Sequence, residues 1–165
     1  MIHRFLRVTY ILNQFRNCLL LLIQVLDLPV LASNTARLVP EYFEGVLATS
    51  REINGLELTA GKFTKNQYSD QIDTDGRKLD RAVVWGAKYK FNDQLNASYY
   101  GLDSKNALER HYVNANYKQA LANDSSLTYD FSGYHTKFDK NASTYSATGE
   151  TAADVMVTML LNQKP

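Results

Sequence analysis

The sequence predicts an all-β protein, an antiparallel up-and-down β-barrel that spans a membrane. Between residues 43 and 136, short stretches alternate apolar and polar residues with a period of two, which is typical of half-buried strands. Short turns alternate with longer polar connections, as in outer-membrane barrels, where turns lie at one end and loops at the other. Aromatic residues lie beside the short turns, where such a barrel has an interfacial girdle; they are Tyr89, Phe91 and Tyr117.

Residues 1–26 lack this alternation and are predicted to form a short helical or irregular segment. Their apolar run, residues 18–23, is far shorter than the roughly 20 residues that a membrane-spanning helix needs. Asp27 and Pro29 interrupt any extension of it. Basic residues before the run also fit a secretory signal peptide that ends near Ala32, although the same two residues interrupt its apolar region. Both interpretations stay open at this point.

Six stretches of the chain have the strand pattern. In residues 81–91, one face carries Val83, Trp85 and Tyr89, whereas the other carries small residues and lysines. Residues 153–165 lack the pattern and are predicted to be a tail. Short turns are predicted at residues 54–55, 92–93 and 122–124, and longer connections at 64–80, 103–107 and 137–150. The predicted strands are residues 43–50, 56–63, 81–91, 94–102, 110–118 and 126–136.

One face of the later strands is hydrophilic and partly basic. If this face encloses a lumen, its basic residues form a positive wall that attracts small anions and carboxylates. The alternative is a solvated face of a soluble sheet. The apolar face favours the barrel, because many of its residues are small or Tyr, whereas a soluble barrel fills its interior with bulky apolar side chains. The pore-lining candidates from strand alternation are Lys88, Lys90, Arg110, Asn114, Asn116, Lys118 and Asp130.

Composition argues against several other functions. The chain has 18 Lys and Arg against 17 Asp and Glu, a net charge of +1, so it lacks the charge excess of an electrostatic nucleic-acid binder. Cys18 is the single cysteine, which excludes an internal disulfide or a cysteine-rich zinc site. The three histidines stand apart, and no glycine-rich phosphate loop is present. We therefore predict a protein that is not an enzyme and that has no metal, cofactor or nucleic-acid partner.

A series of sequence motifs runs in order from residue 27 to about residue 150. They include DLPVLA at 27–32, TARLVPE at 35–41, FEGV at 43–46, TSREINGL at 49–56, AGKF at 60–63 and GAKYKFNDQL at 86–95. In order and spacing, these motifs resemble the OprD-type outer-membrane porins of Gram-negative bacteria. Because many motifs agree together, the resemblance is specific.

The resemblance implies an eighteen-stranded channel in the outer membrane. Such a channel admits small carboxylate-bearing solutes, basic amino acids among them, by passive diffusion, and its partners are these solutes and outer-membrane lipids. A basic track along the wall and an inward-folded loop, which forms the constriction, belong to the same implied architecture. The RLVP stretch at 37–40 resembles the segment around that loop, so Arg37 is a candidate constriction residue.

The resemblance also implies that this chain is an internal fragment of such a porin. Six strands are fewer than the eighteen of the family, and fewer than the eight of the smallest bacterial barrels. We expect residues 1–26 to be an unmatched apolar segment, 27–152 a partial barrel, and 153–165 an unmatched tail. A second hypothesis is a secreted, soluble β-sheet module that binds a ligand on its tyrosine-rich face. The sequence specifies neither the solute nor the oligomeric state.

Overall fold

The computed structural model describes residues 17–36, 40–67, 80–121, 125–139 and 151–162. Within these ranges the regular structure is β-strand. No helix in the described ranges is long and apolar enough to cross a membrane. The strands are β1 (Asn17–Gln24), β2 (Asp27–Leu28), β3 (Leu31–Ala32), β4 (Tyr42–Ser50), β5 (Leu56–Gln67), β6 (Ala82–Lys90), β7 (Leu95–Ser104), β8 (Leu108–Ala120), β9 (Ser126–Phe138) and β10 (Thr151–Asn162).

Eight of the strands form one antiparallel sheet in the order β1-β4-β5-β6-β7-β8-β9-β10. From β4 onward each strand pairs with the next one along the chain, so the predicted up-and-down topology is confirmed. Strands β2 and β3 form a separate two-stranded hairpin between β1 and β4. Strands β1 and β10 are the two edges of the large sheet.

The six predicted strands correspond to β4 through β9, and two further strands of the large sheet, β1 and β10, were not expected. Residues 17–24 form β1 rather than a helical or irregular segment, and they pair with β4 along their whole length. Residues 151–162, most of which were expected to be a tail, form β10 and pair with β9. Both sequences are apolar at consecutive positions, so they carry no period-two signal, and only pairing with a neighbour identifies them as strands.

The short turns predicted at residues 54–55 and 92–93 are confirmed, whereas the connections predicted at 64–80, 122–124 and 137–150 lie wholly or mostly outside the described residues. Strands β6 and β7 are joined by a tight turn in which the Asn92 Oδ1 accepts the backbone N–H groups of Gln94 (2.8 Å) and Leu95 (2.7 Å). One prediction was wrong: β7 and β8 extend further than expected, so residues 105–107 make a short turn rather than a longer loop. This turn uses Asn106 with φ of 59°, a conformation that asparagine tolerates better than most residues.

The strand register gives the sheet two different faces. We call the side that carries Lys88, Asn114 and Asp130 the polar face, and the side that carries Trp85 and Val113 the apolar face. Successive side chains of a strand point to opposite faces, so a register slip of one residue would exchange these two surfaces.

Glycines in β6 and β7 help to fix this register. On the apolar face the Trp85 ring lies over Gly101, and on the polar face the Tyr100 ring lies over Gly86. A Cβ atom at either glycine would overlap the ring of its partner. These aromatic-over-glycine pairs fit only in the observed register, because a shift would place a side chain beneath each ring.

The apolar core lies on the polar face, near the end where β4, β6 and β8 begin. Leu26 and Val30 from the β2–β3 region are 3% and 1% exposed. They pack with Phe43, Phe63 and neighbouring apolar residues of the sheet. The hairpin therefore folds inward over one end of the polar face, and the side chains beneath it are apolar for that reason. The remaining buried core residues are Ala82, Val84, Tyr100 and Leu102.

Replacing Gly101 with alanine is expected to destabilise the sheet by about 1–3 kcal/mol, because the new methyl group displaces the Trp85 ring. Gly133→Ala is the matched control, since a Cβ there meets only the Val113 Cγ2 at 3.4 Å and the Asp154 carbonyl oxygen at 3.8 Å. Urea unfolding of the refolded protein, followed through the single tryptophan, gives the free energy of unfolding. Equal losses in the two variants would contradict the packing argument.

Candidate functional site

Seven of the predicted pore-lining residues lie on the polar face. The register places Lys88, Ser98, Asn114 and Ser132 in one row across β6 to β9. The next row toward the short turns contains Lys90, Asn96, Asn116 and Asp130. Arg110 and Lys118 lie on the same face of β8, above and below these rows. Arg37, the eighth candidate, lies outside the described residues. That these residues line a pore stays a prediction.

Asp130 is the centre of a hydrogen-bonded network that joins β8 to β9. Its Oδ1 accepts hydrogen bonds from the Asn114 Nδ2 (3.0 Å) and the Ser132 hydroxyl (3.0 Å), and its Oδ2 accepts one from the Asn116 Nδ2 (2.9 Å). The Asn114 Nδ2 also lies 3.0 Å from the Ser132 Oγ. The carboxylate is therefore held in one orientation by neutral donors, and it is not neutralised by a cation among the described residues.

Further toward the inward hairpin the polar face carries tyrosines and an arginine. The rings of Tyr112 and Tyr134 lie 4.6 Å apart across β8 and β9. In the next row the Arg110 Nε donates a hydrogen bond to the Thr136 hydroxyl (3.1 Å). Only one guanidinium nitrogen takes part in this bond, so the group keeps donors for a solute carboxylate. Ser132, Tyr112 and Tyr134 were not among the predicted pore-lining residues, although strand alternation alone puts them on this face.

The lysines of the polar face differ in their partners. Lys90 forms an ion pair with Asp93 in the adjoining turn, with 2.6 Å between Nζ and Oδ1. The hydrogen bond from Lys90, together with its charge, lowers the pKa of Asp93 below the usual 3.8. Lys88 and Lys118 are exposed, and within the described ranges neither has a carboxylate at ion-pair distance. These two lysines, like Arg110, remain open to an incoming anion.

The opposite, apolar face is exposed along the length of the strands. Val113 is 44% exposed, Phe131 43% and Leu58 44%. Near the short turns, the rings of Tyr89 and Phe91 lie 4.7 Å apart, and those of Tyr117 and Tyr129 stack at 6.3 Å. An apolar surface that covers a whole sheet is not typical of a soluble monomer, and it fits contact with lipid.

The apolar face ends at polar and aromatic residues toward the longer connections. The Tyr99 hydroxyl lies 2.8 Å from the His111 Nδ1, and the His111 Nε2 lies 3.1 Å from a Glu109 carboxylate oxygen. Tyr117 and Glu109 stand eight residues apart on β8, which is about 27 Å along a strand. Strand tilt makes the height of the apolar face between these two residues somewhat smaller than this length. The height is then close to the roughly 25 Å apolar band, with aromatic residues at its edges, that transmembrane barrels present to lipid.

Similarity to a known protein family is consistent with a sheet that has one polar and one apolar face. The model of the outer membrane porin, OprD family, matches residues 21–164. This chain belongs to the OprD family. The match runs beyond residue 150 and includes β10, the strand that sequence alternation did not show. As family members are outer-membrane proteins, the predicted outer-membrane location and the barrel class of the fold are confirmed.

Individual relatives give the same result. The chain is 33% identical to Porin D of Pseudomonas aeruginosa over 122 residues. Its sequence is 75% identical to that of OccAB1 from Acinetobacter baumannii, and its fold matches the crystal structure of that protein with a TM-score of 0.75 over 81% of this chain. The fold also matches that of the outer membrane protein opdK from Pseudomonas aeruginosa, with a TM-score of 0.77 at 22% identity.

The chain spans only part of these relatives. It covers 28% of Porin D and 33% of the OccAB1 chain. Its eight-stranded sheet is accordingly smaller than the eighteen-stranded barrel that the resemblance implies. The relatives are porins, which are channels and not enzymes; that this chain has no enzymatic activity stays a prediction.

Asp93 is expected to titrate below pH 3.8, because Lys90 stabilises its charged form. Since its folded pKa is lowered, the ion pair contributes at neutral pH and is lost as the pH falls through that lowered value. Carbon-13 NMR of the side-chain carboxyl groups measures the titration midpoint. Lys90→Met should return the midpoint to about 3.8, whereas Lys88→Met, two residues away, should leave it low. A low midpoint in Lys90→Met would show that another group is responsible.

Proposed function

We propose that this chain forms part of the wall of an outer-membrane channel for passive diffusion of small carboxylate-bearing solutes, basic amino acids among them. The observation that supports this proposal is the pairing of an exposed apolar face with a polar face on which Lys88 and Lys118 remain open. Lipids would contact the apolar face, and solutes would pass along the polar face. Strands β1 and β4 to β10 would supply the wall, rather than residues 27–152 alone, and Arg37 is the proposed constriction residue.

The charges of the polar face favour anionic groups. On β6 to β9 this face carries four basic residues, Lys88, Lys90, Arg110 and Lys118, against one acidic residue, Asp130. Amide and hydroxyl donors already hold the Asp130 carboxylate. A solute carboxylate could therefore bind one basic group, leave it and bind the next one along the face.

Passage also requires that each of these contacts be weak. The lysines are exposed to water, where a pair of unit charges at 4 Å attracts by about 1 kcal/mol. Such an interaction raises the local solute concentration without trapping the solute, which is the condition for conduction through several successive sites. The amine of a basic amino acid would meet Asp130 on the same face.

We propose that further strands complete the wall. Strands β1 and β10 are not neighbours in the sheet, so each has an unpaired edge in the described part of the chain. A strand edge exposed to lipid would leave backbone N–H and C=O groups unsatisfied, at several kcal/mol for each group, so membrane barrels are closed. The eighteen strands that the family resemblance implies would provide this closure.

The soluble, secreted module is the weaker hypothesis. It would need a cover for the apolar face, whereas the family to which the chain belongs has its apolar band in the membrane. Cell fractionation separates the two. A channel protein is extracted from the outer membrane only by detergent and changes its gel mobility on heating, whereas recovery in the soluble periplasm would contradict the proposal.

Removing the two open lysines is expected to reduce anion preference. In Lys88→Gln/Lys118→Gln, the reversal potential in a salt gradient across a planar bilayer should shift toward cation selectivity. The expected size is roughly fivefold in the permeability ratio per lysine at most, from the attraction of about 1 kcal/mol at each site.

The control variant is Lys62→Gln, which removes the same charge from the apolar face, where Lys62 pairs with Val83. It should leave the permeability ratio unchanged. An equal shift in Lys62→Gln would mean that the polar face does not line the solute path.

A further inference from the structure

Glu41 is a buried carboxylate that the proposed solute path does not use. It lies just before β4 and is 8% exposed. Within the described ranges no basic side chain lies at ion-pair distance from it. A buried charge without a cation is costly unless hydrogen bonds satisfy its oxygens. The partners of this carboxylate therefore indicate what it does.

Both oxygens of Glu41 accept hydrogen bonds, and the two donors come from different parts of the chain. The Asn34 backbone N–H donates to the Oε2 (3.1 Å), and the Asn66 Nδ2 on β5 donates to the Oε1 (3.1 Å). The Glu41 backbone N–H donates in turn to the Asn34 carbonyl oxygen (2.9 Å). Asn34 and Glu41 are thus joined twice, once through backbone and once through the carboxylate.

These bonds hold Asn34 beside Glu41 at the start of β4. The residue before Asn34 is bonded in turn to the inward hairpin region: the Ser33 N–H donates to the Leu26 carbonyl oxygen (2.8 Å), and the Ser33 hydroxyl accepts the Leu26 N–H (2.9 Å). Leu26 itself is in the core. One carboxylate therefore ties the end of the hairpin region to both β4 and β5.

We infer that Glu41 is a positioning residue, whose carboxylate fixes the segment of residues 34–36 against the start of β4 and the end of β5. Arg37 follows this segment in the sequence, so the inference that Glu41 affects solute passage rests on the proposed function. The local effect on the segment does not depend on it. The inference explains why a carboxylate is present: both partners are N–H donors, and a glutamine has only one oxygen to accept them.

The direct test is site-resolved hydrogen exchange on the refolded chain, comparing Glu41→Gln with the unmodified protein. We expect the Asn34 and Ala36 amides to exchange about tenfold faster, because the Asn34 N–H loses a charge-assisted bond and the Ala36 N–H bond to the Asn34 Oδ1 depends on the same turn. The amides of Val46 and Ala48 within β4 should keep their slow exchange. Unchanged exchange at Asn34 and Ala36 would overturn the inference, as would equally faster exchange throughout β4.

Glu44→Gln is the matched control. Glu44 is a nearby carboxylate on β4, but it is partly exposed and pairs with the Lys65 Nζ at 3.0 Å. Glu44→Gln should leave exchange at the Asn34 and Ala36 amides unaffected. Acceleration equal to that in Glu41→Gln would refute a specific role of Glu41.

Asn66→Ala serves as a second variant if Glu41→Gln fails to refold. It removes only the donor to the Glu41 Oε1, so it should accelerate exchange at the same two amides by a smaller factor. No acceleration in Asn66→Ala would count against the inference.

A measurement on open channels tests the effect on passage. In single-channel recordings, Glu41→Gln should change the ratio of carboxylate to chloride permeability, whereas a change in stability alone alters the number of inserted channels and not the ratio in each one. Altered exchange with an unaltered ratio would refute the effect on passage. If the polar-face lysines prove to have no effect on selectivity, the proposed function fails, but the exchange results still decide the role of Glu41 in the segment.

Discussion

The continuous antiparallel pairing from β1 to β10 is the constraint on which the rest of the structure depends. In lipid no water is available to replace a missing backbone hydrogen bond, so each strand needs its neighbours along its length. Pairing also fixes the register, and the register decides which side chains share a face. Trp85 over Gly101 and Tyr100 over Gly86 fit only one register, so packing and backbone pairing support the same arrangement.

The register produces two faces whose side chains suit different environments. The apolar face has small and aromatic residues exposed between its edges, whereas the polar face has amides, hydroxyls and basic groups. The polar face becomes apolar only beneath the β2–β3 hairpin, where Leu26 and Val30 are buried against it. An inward fold of the chain thus divides one face into a packed region and an open region, and Glu41 lies at the border between the hairpin region and the sheet.

Much of the fold followed from side-chain alternation. Strands β4 to β9, and with them the turns at residues 54–55 and 92–93, were predictable because one side of each strand faces an apolar environment and the other side does not. Strands β1 and β10 lacked this signal because apolar residues occupy consecutive positions in them, and the short turn at Asn106 was missed because the strand ends beside it extend beyond the alternating stretch. Of the candidate site, seven residues could be assigned to one face, but the hydrogen bonds among Asn114, Asn116 and Asp130 could not, since they join separate strands.

The sequence by itself determined the class of fold, the polar and apolar faces of the central strands and the resemblance to the porin family. These depend on residue order within single strands and on local motifs. Only the tertiary structure decided the pairing of β1 and β10, the burial of the hairpin on the polar face and the partners of Glu41. Each of these is a contact between segments that are distant along the chain, and such contacts depend on the complete set of backbone pairings rather than on any local pattern.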